Sequence, residues 1–151
     1  MGTAEIIHAA NRGENFTVIF INNTGLWHDR RADGCSAASS GQVTTTTPYG
    51  RNLETDGNPI RMAELMALLD GTHFSARVAV DAPKRVAQAG KIIHKAFEMQ
   101  KNRAGFAFVE VLAACPTNWG LSPLDANERI SQEMMPCFPL GTFKDLTESQ
   151  N

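Results

Sequence analysis

Two consecutive asparagines, Asn22 and Asn23, are where the chemistry of this chain starts. They end the dense β-branched and aromatic run FTVIFI at 16–21. Asparagine is a poor strand former, but its side-chain carbonyl is a hard oxygen ligand. In open α/β sheets, ligands sit just beyond the carboxyl ends of the strands. Asn22 and Asn23 are therefore candidate ligands for an oxygen-preferring cation, the plain alternative being that they open a turn. Trp27, His28, Asp29 and Cys35 also suggest a metal or catalytic cluster. Cys35 has no nearby cysteine partner, however, and the spacing to His28 matches no usual zinc pattern. Arg30 and Arg31 lie in a polar stretch, where such pairs are usually solvated. His8 and His94 read as surface or packing residues on helices. Cys115 stands between a strand-like run and Pro116, a position typical of a small buried side chain. Cys137 has no motif around it and reads as structural.

The elements that must position these residues alternate. Residues 3–11 carry Ile6, Ile7, Ala9 and Ala10 as apolar helix members, with Gly13 beyond the end. The run at 16–21 reads as a buried strand. The stretch 24–58 is polar and rich in Gly, Thr and Ser, longer than an ordinary loop. Met62, Leu65, Met66 and Leu69 recur at helical spacing within 60–69, closed by Asp70 and Gly71. HFSARVAV at 73–80 reads as a strand. Pro83 opens a helix to about 100, with Val86, Ala89, Ile93 and Phe97 on one stripe. FAFVEVL at 106–112 is a third strand, with Phe106 and Phe108 as core. Ser122 can cap a last helix over 124–134. Strands alternating with helices predict an α/β fold, a mostly parallel sheet with helices on both faces. The 151 residues are one domain's worth of chain. The first helix has no strand before it, so the chain reads as the C-terminal part of a longer, N-terminally truncated domain.

Composition narrows the function. A net charge of −2 gives no electrostatic reason for a nucleic-acid or anionic-membrane partner. No apolar run approaches a membrane span, and the N-terminus lacks the pattern of a secretory signal. Three scattered cysteines make no disulfide framework, so a reducing, cytoplasmic setting is expected. Neither a P-loop nor a Gly-x-Gly-x-x-Gly sequence occurs, which removes the common nucleotide folds.

The stretch GTAEIIHAANRGENFTVIFINN resembles the thiamine-diphosphate-binding (beta-type) subunits of 2-oxoacid:ferredoxin oxidoreductases. GQVTTTTPYGR at 41–51, CPTNWG at 115–120 and FPLGTFKD at 138–145 are similar to landmarks of the 2-oxoisovalerate branch of that family. The resemblance covers nearly the whole chain. It implies a thiamine-diphosphate-binding fold and a Mg²⁺ ion that neutralises the cofactor's diphosphate. Asn23 would be the side-chain ligand of the ion, Gly25 its backbone-carbonyl ligand, and Asn22, Asn23 and Gly25 the cofactor-binding residues. It makes Cys115 a candidate thiolate for a [4Fe–4S] cluster, which needs four. It implies oxidative decarboxylation of a branched-chain 2-oxoacid to an acyl-coenzyme A, with ferredoxin reduced. The expected partners are alpha-type and ferredoxin-like subunits, ferredoxin, coenzyme A and the 2-oxoacid.

The departures are specific. The family's Gly-Asp-Gly-Asp motif, which supplies an aspartate to Mg²⁺, is absent, and so are its N-terminal cysteines. After Asn23 the chain reads GLWHDRRADGCSAASS in place of Tyr-Gly-Met-Thr-Gly-Gly-Gln. Read one base later, codons permitted for Leu26 to Cys35 spell Tyr-Gly-Met-Thr-Gly-Gly-Gln-Met-Ala. His28-Asp29 and Asp33-Gly34 supply the two places where methionine is required. A frameshifted window within about 24–40 is the expectation. Two functions follow. One is the cofactor-binding part of the oxidoreductase; the other is a catalytically inactive α/β remnant that binds no cofactor.

Overall fold

The computed structural model describes residues 2–24 and 59–146. In chain order these form α1 (Thr3–Asn11), β1 (Thr17–Asn22), α2 (Met62–Ala67), β2 (Thr72–Ala79), α3 (Pro83–Lys101) and β3 (Phe106–Leu112). Short helices α4 (Pro116–Trp119) and α5 (Pro123–Arg129) follow. A π-helical turn at Ile130–Met134 runs into α6 (Met135–Cys137), and strand β4 (Gly141–Asp145) comes last. The sheet order is β1-β3-β2-β4, with β1, β3 and β2 parallel and β4 antiparallel against β2. The mostly parallel sheet expected from the alternation is therefore present. The segment 141–145 was not expected to be a strand. It carries little apolar surface, and only its docking on β2 gives it one.

Parallel strands buried on both faces need apolar side chains at every position. β3 meets this demand at six of its seven buried positions, the exception being Glu110. Ala107, Val109 and Val111 face α3, together with Phe74, Ala76 and Val78 of β2. Phe106 and Phe108 face α1 and α2, among Ala10, Met62, Ala63 and Met66. Burying each of these two rings contributes about 2 kcal/mol. Phe16 adds an edge-on contact to Phe106, with ring centres 5.2 Å apart. The helices thus lie on both faces of the sheet. A third apolar cluster sits beyond the strand ends, where Trp119, Ala126, Ile130, Met134 and Phe138 close over Ala79 and Leu112.

The local signals account for most boundaries. α1 ends at Gly13, which takes φ +69° and donates to Ala10 O at 3.1 Å. α3 opens with Pro83 at its first turn. The Ser122 hydroxyl accepts from Asp125 N at 3.2 Å and caps α5. The last helix was expected over 124–134 as one piece; it begins at Pro123 and widens into the π turn at Ile130. Gly71 is required by close approach, since a Cβ there would lie 2.3 Å from Ala10 O and 2.4 Å from Gly13 N. The turn after α2 is thereby pressed against the end of α1. Among the described residues no helix is long and apolar enough to cross a membrane.

Candidate functional site

The carboxyl ends of β1 and β3 lie side by side, because Ala113 N donates to Asn22 O at 3.1 Å. Everything that leaves these two strands is gathered there: Asn22, Asn23 and Thr24 from β1, and Ala113, Ala114 and Cys115 from β3. Parallel pairing in register, with Asn22 beside Leu112, brings this about.

Asn22 is not an idle strand end. Its Nδ2 donates to Glu110 Oε1 at 2.7 Å, and its Oδ1 accepts from Thr24 N at 3.2 Å. The second bond makes an Asx-type turn. It holds Thr24 at φ +50°, a left-handed conformation that β-branched residues rarely adopt. Thr24 is buried, and its hydroxyl has no hydrogen-bond partner among the described residues. Asn23, between them, is half-buried. With both atoms of its amide engaged, Asn22 fits the role of organiser better than that of ligand.

Glu110 belongs to a charged network that the sequence reading overlooked. Its side chain and that of Arg77 are completely buried. They are register partners on β3 and β2 and share the α2 face of the sheet. Arg77 Nε donates to Glu110 Oε2 at 2.9 Å, and Ala63 N donates to the same oxygen at 3.2 Å. The far edge of the guanidinium pairs with Glu64 of α2 and donates to Pro139 O at 3.0 Å. Phe138 and Phe143 flank it, with ring centres 5.3 and 5.1 Å away. Burial works against the Arg77 charge, but the hydrogen bonds and charges of Glu64 and Glu110 outweigh it. The net effect raises the pKa above the ordinary arginine value. The available signal was one charge of each sign inside the two strand runs. Such charges are rarely buried unless paired.

At the end of β2, Asp81 is held by Arg85 through two 2.6 Å hydrogen bonds, Nε to Oδ1 and Nη2 to Oδ2. This paired carboxylate lies two residues before Pro83, where α3 begins.

Cys115 is half-buried at the start of α4 and packs on the Trp119 cluster, as does Cys137. Cys115 therefore sits two residues beyond Ala113, the neighbour of Asn22. Among the described residues, no three His, Cys, Asp or Glu side chains gather to hold a metal. His8 and His94 are exposed; His94 has Glu98 at 3.6 Å. Gly25, Trp27, His28, Asp29, Arg30, Arg31, Cys35 and the segment 41–51 lie outside the described residues, as does the 24–40 window apart from Thr24.

The donor set at the end of β1 is hard and neutral: an asparagine amide oxygen and a buried threonine hydroxyl that has no partner among the described residues. Hard oxygens suit Mg²⁺, and a neutral set suits an ion whose charge is balanced by phosphates. The residues present therefore fit Mg²⁺ carried by a diphosphate, as part of its ligand set.

Comparisons with known proteins identify the family. The family model described as "Thiamine pyrophosphate enzyme, C-terminal TPP binding domain" matches residues 1–111. The ketoisovalerate oxidoreductase subunit VorA of Methanothermobacter thermautotrophicus is 40% identical over 147 residues, 96% of this chain and 30% of the relative. The subunit of the same name from Methanothermobacter marburgensis is 38% identical, with the same coverage. The 2-oxoglutarate synthase subunit KorB of Archaeoglobus fulgidus is 30% identical over 132 residues, 87% of this chain and 45% of the relative. The chain thus spans less than half the length of these relatives. No solved structure matches it.

Proposed function

The chain belongs to the thiamine pyrophosphate enzyme family through its C-terminal cofactor-binding domain, and from this we propose that it is the thiamine-diphosphate-binding part of a 2-oxoacid:ferredoxin oxidoreductase. The observation that carries the reading is the Asn22–Thr24 turn at the carboxyl end of a parallel strand, beside the segment leading to Cys115. Relatives named for ketoisovalerate and 2-oxoglutarate support a 2-oxoacid as substrate. The greater identity to the first favours a branched-chain 2-oxoacid, converted to its acyl-coenzyme A while ferredoxin is reduced.

In this reading the Asn23 side chain and the Gly25 carbonyl bind Mg²⁺, and Asn22 fixes the turn that presents them. Bound thiamine diphosphate would supply the electron sink that lets a 2-oxoacid lose carbon dioxide. The neutral strand end leaves the diphosphate charge to be met by the ion and by backbone N–H groups. Cys115 offers one thiolate to a [4Fe–4S] cluster, the remainder of the ligands lying elsewhere in the assembly. Alpha-type and ferredoxin-like subunits would complete the enzyme.

Calorimetric titration with thiamine diphosphate and Mg²⁺ tests the reading. The protein to use is this chain joined to the segment that precedes the matching part of VorA, with its partner subunits. Mg²⁺-dependent binding should appear and should weaken about tenfold or more in Asn23→Ala, the cost of losing one hard ligand. An Asn23→Ala protein that binds as well as the parent would displace the site from the end of β1. No binding in any such protein would favour an inert remnant.

A further inference from the structure

We propose that Glu110 and Arg77 are positioning residues for the strand-end turn, acting through Asn22 to present the donors of Asn23 and Thr24. This rests on the reading of the β1 end as a cofactor site. Neither charge reaches that end itself. Glu110 lies two residues before the end of β3, facing α2, and Arg77 lies beside it on β2.

The hydrogen bonds run outward from the core. Arg77 donates to Glu110 Oε2 from Nε, and its Nη2 also lies 2.9 Å from that oxygen. Ala63 N adds a third donor to it. Oε2 is thus fully used, and the carboxylate plane is fixed by β2 and α2 together. The remaining oxygen, Oε1, then points at β1 and takes the hydrogen bond from Asn22 Nδ2. An asparagine whose Nδ2 is held has its Oδ1 placed as well, because the amide is planar. That Oδ1 captures Thr24 N, and the capture keeps Thr24 in the left-handed region with its hydroxyl buried. Every step hands on an orientation. A buried ion pair seldom adds much stability over well-packed apolar residues, so its value here lies in the direction it imposes.

An exchange of polarity tests this on the 151-residue chain. Asn22→Asp removes the Nδ2 donor and sets a second carboxylate against Glu110. The turn should open, and the Thr24 amide should exchange with solvent about tenfold faster, as expected for one lost hydrogen bond. The Ala113 amide, which donates to the backbone of residue 22, serves as the internal reference for the sheet. Glu110→Gln alone should also speed Thr24 exchange, because one amide cannot accept from Arg77, Ala63 and Asn22 on both sides. The double variant Asn22→Asp with Glu110→Gln reverses the donor and acceptor. The new amide donates to the new carboxylate and still accepts from Arg77 and Ala63. Thr24 protection should return to within about twofold of the parent, a non-additivity that contacting partners show and bulk packing does not.

Unchanged Thr24 exchange in both single variants, or additive effects in the double, would overturn the proposal. If Asn22→Asp does not fold, Asn22→Ala takes its place, since it removes both amide atoms and adds no charge. Cofactor affinity of the longer protein, read separately by calorimetry, should fall in the single variants and recover in the double. Affinity that ignores the turn while Thr24 exchange responds would overturn the link from turn to cofactor. Absence of cofactor binding in the parent would instead remove the functional reading, leaving the exchange result to judge the turn.

Discussion

Arg77 and Glu110 meet at 2.9 Å between neighbouring strands, each with no solvent-exposed side-chain surface. The pair occupies a place that apolar residues hold elsewhere in β2 and β3. It ties together β2, β3 and α2, and through Asn22 it reaches β1.

Removing one member of such a pair leaves the other buried and uncompensated. Arg77→Leu should therefore cost about 3–5 kcal/mol of stability. Arg77→Lys keeps the charge but not the planar fork that spans Glu110, Glu64 and Pro139 O, and should still cost about 1–3 kcal/mol. Urea unfolding monitored through Trp119 measures both. A lysine variant as stable as the parent would show that charge alone suffices.

The pH dependence has a definite sign. The pKa of Arg77 is raised in the folded protein, and so is that of Arg85 through its hydrogen bonds to Asp81. A raised pKa contributes stability that is fully present below the unfolded value and is lost only as pH climbs through the folded value. The loss from Arg77→Leu should thus be constant between about pH 7 and 9. Unfolding curves of parent and variant at the two ends of that range compare directly.

Gly71 has no room for a methyl group, and the atoms in the way belong to the backbone of α1 and its turn. Gly71→Ala should lose about 1–3 kcal/mol by forcing α1 away from the α2 turn. Gly90→Ala is the control, since nothing lies within 4 Å of a Cβ there. In the middle of α3 it should gain about 0.5–1 kcal/mol. Thermal unfolding of the two variants should move in opposite directions.

Ser122 caps α5 with its hydroxyl. Ser122→Ala should cost about 1 kcal/mol, and Ser122→Asp, which keeps an acceptor at the helix start, should cost less. Chemical denaturation ranks the three proteins.

The coding sequence between Asn23 and Gly41 carries its own test. If the window is frameshifted, the codons for Leu26 to Cys35 read one base later should spell the glycine-rich Tyr-Gly-Met-Thr-Gly-Gly-Gln segment. Codons that cannot do so would establish GLWHDRRADGC as the intended sequence.

By itself the sequence determined the α/β class, the three parallel strands and the main helices. FTVIFI, HFSARVAV and FAFVEVL have the β-branched and aromatic content of strands, although β1, expected to be buried, is only half-buried at the sheet edge, with Ile21 exposed. The apolar stripes of α1, α2 and α3 repeat at helical spacing, and Gly13, Pro83 and Ser122 mark helix ends by local chemistry. These signals act within a few residues, so a linear reading finds them. It also located Asn22 and Asn23 at a strand end, because that depends only on where the apolar run stops. The tertiary structure decided what those asparagines do. Asn22 is separated from Glu110 by 88 positions and Glu110 from Arg77 by 33. Only the order β1-β3-β2 brings the three onto one face, Arg77 level with Glu110 and Asn22 two residues further along. β4 is of the same kind: its five residues have no pattern that demands a strand, and the open edge of β2 makes them one. Long-range pairing is invisible in local composition because its energy depends on which strand becomes the neighbour, and the packing of helices on both faces settles that.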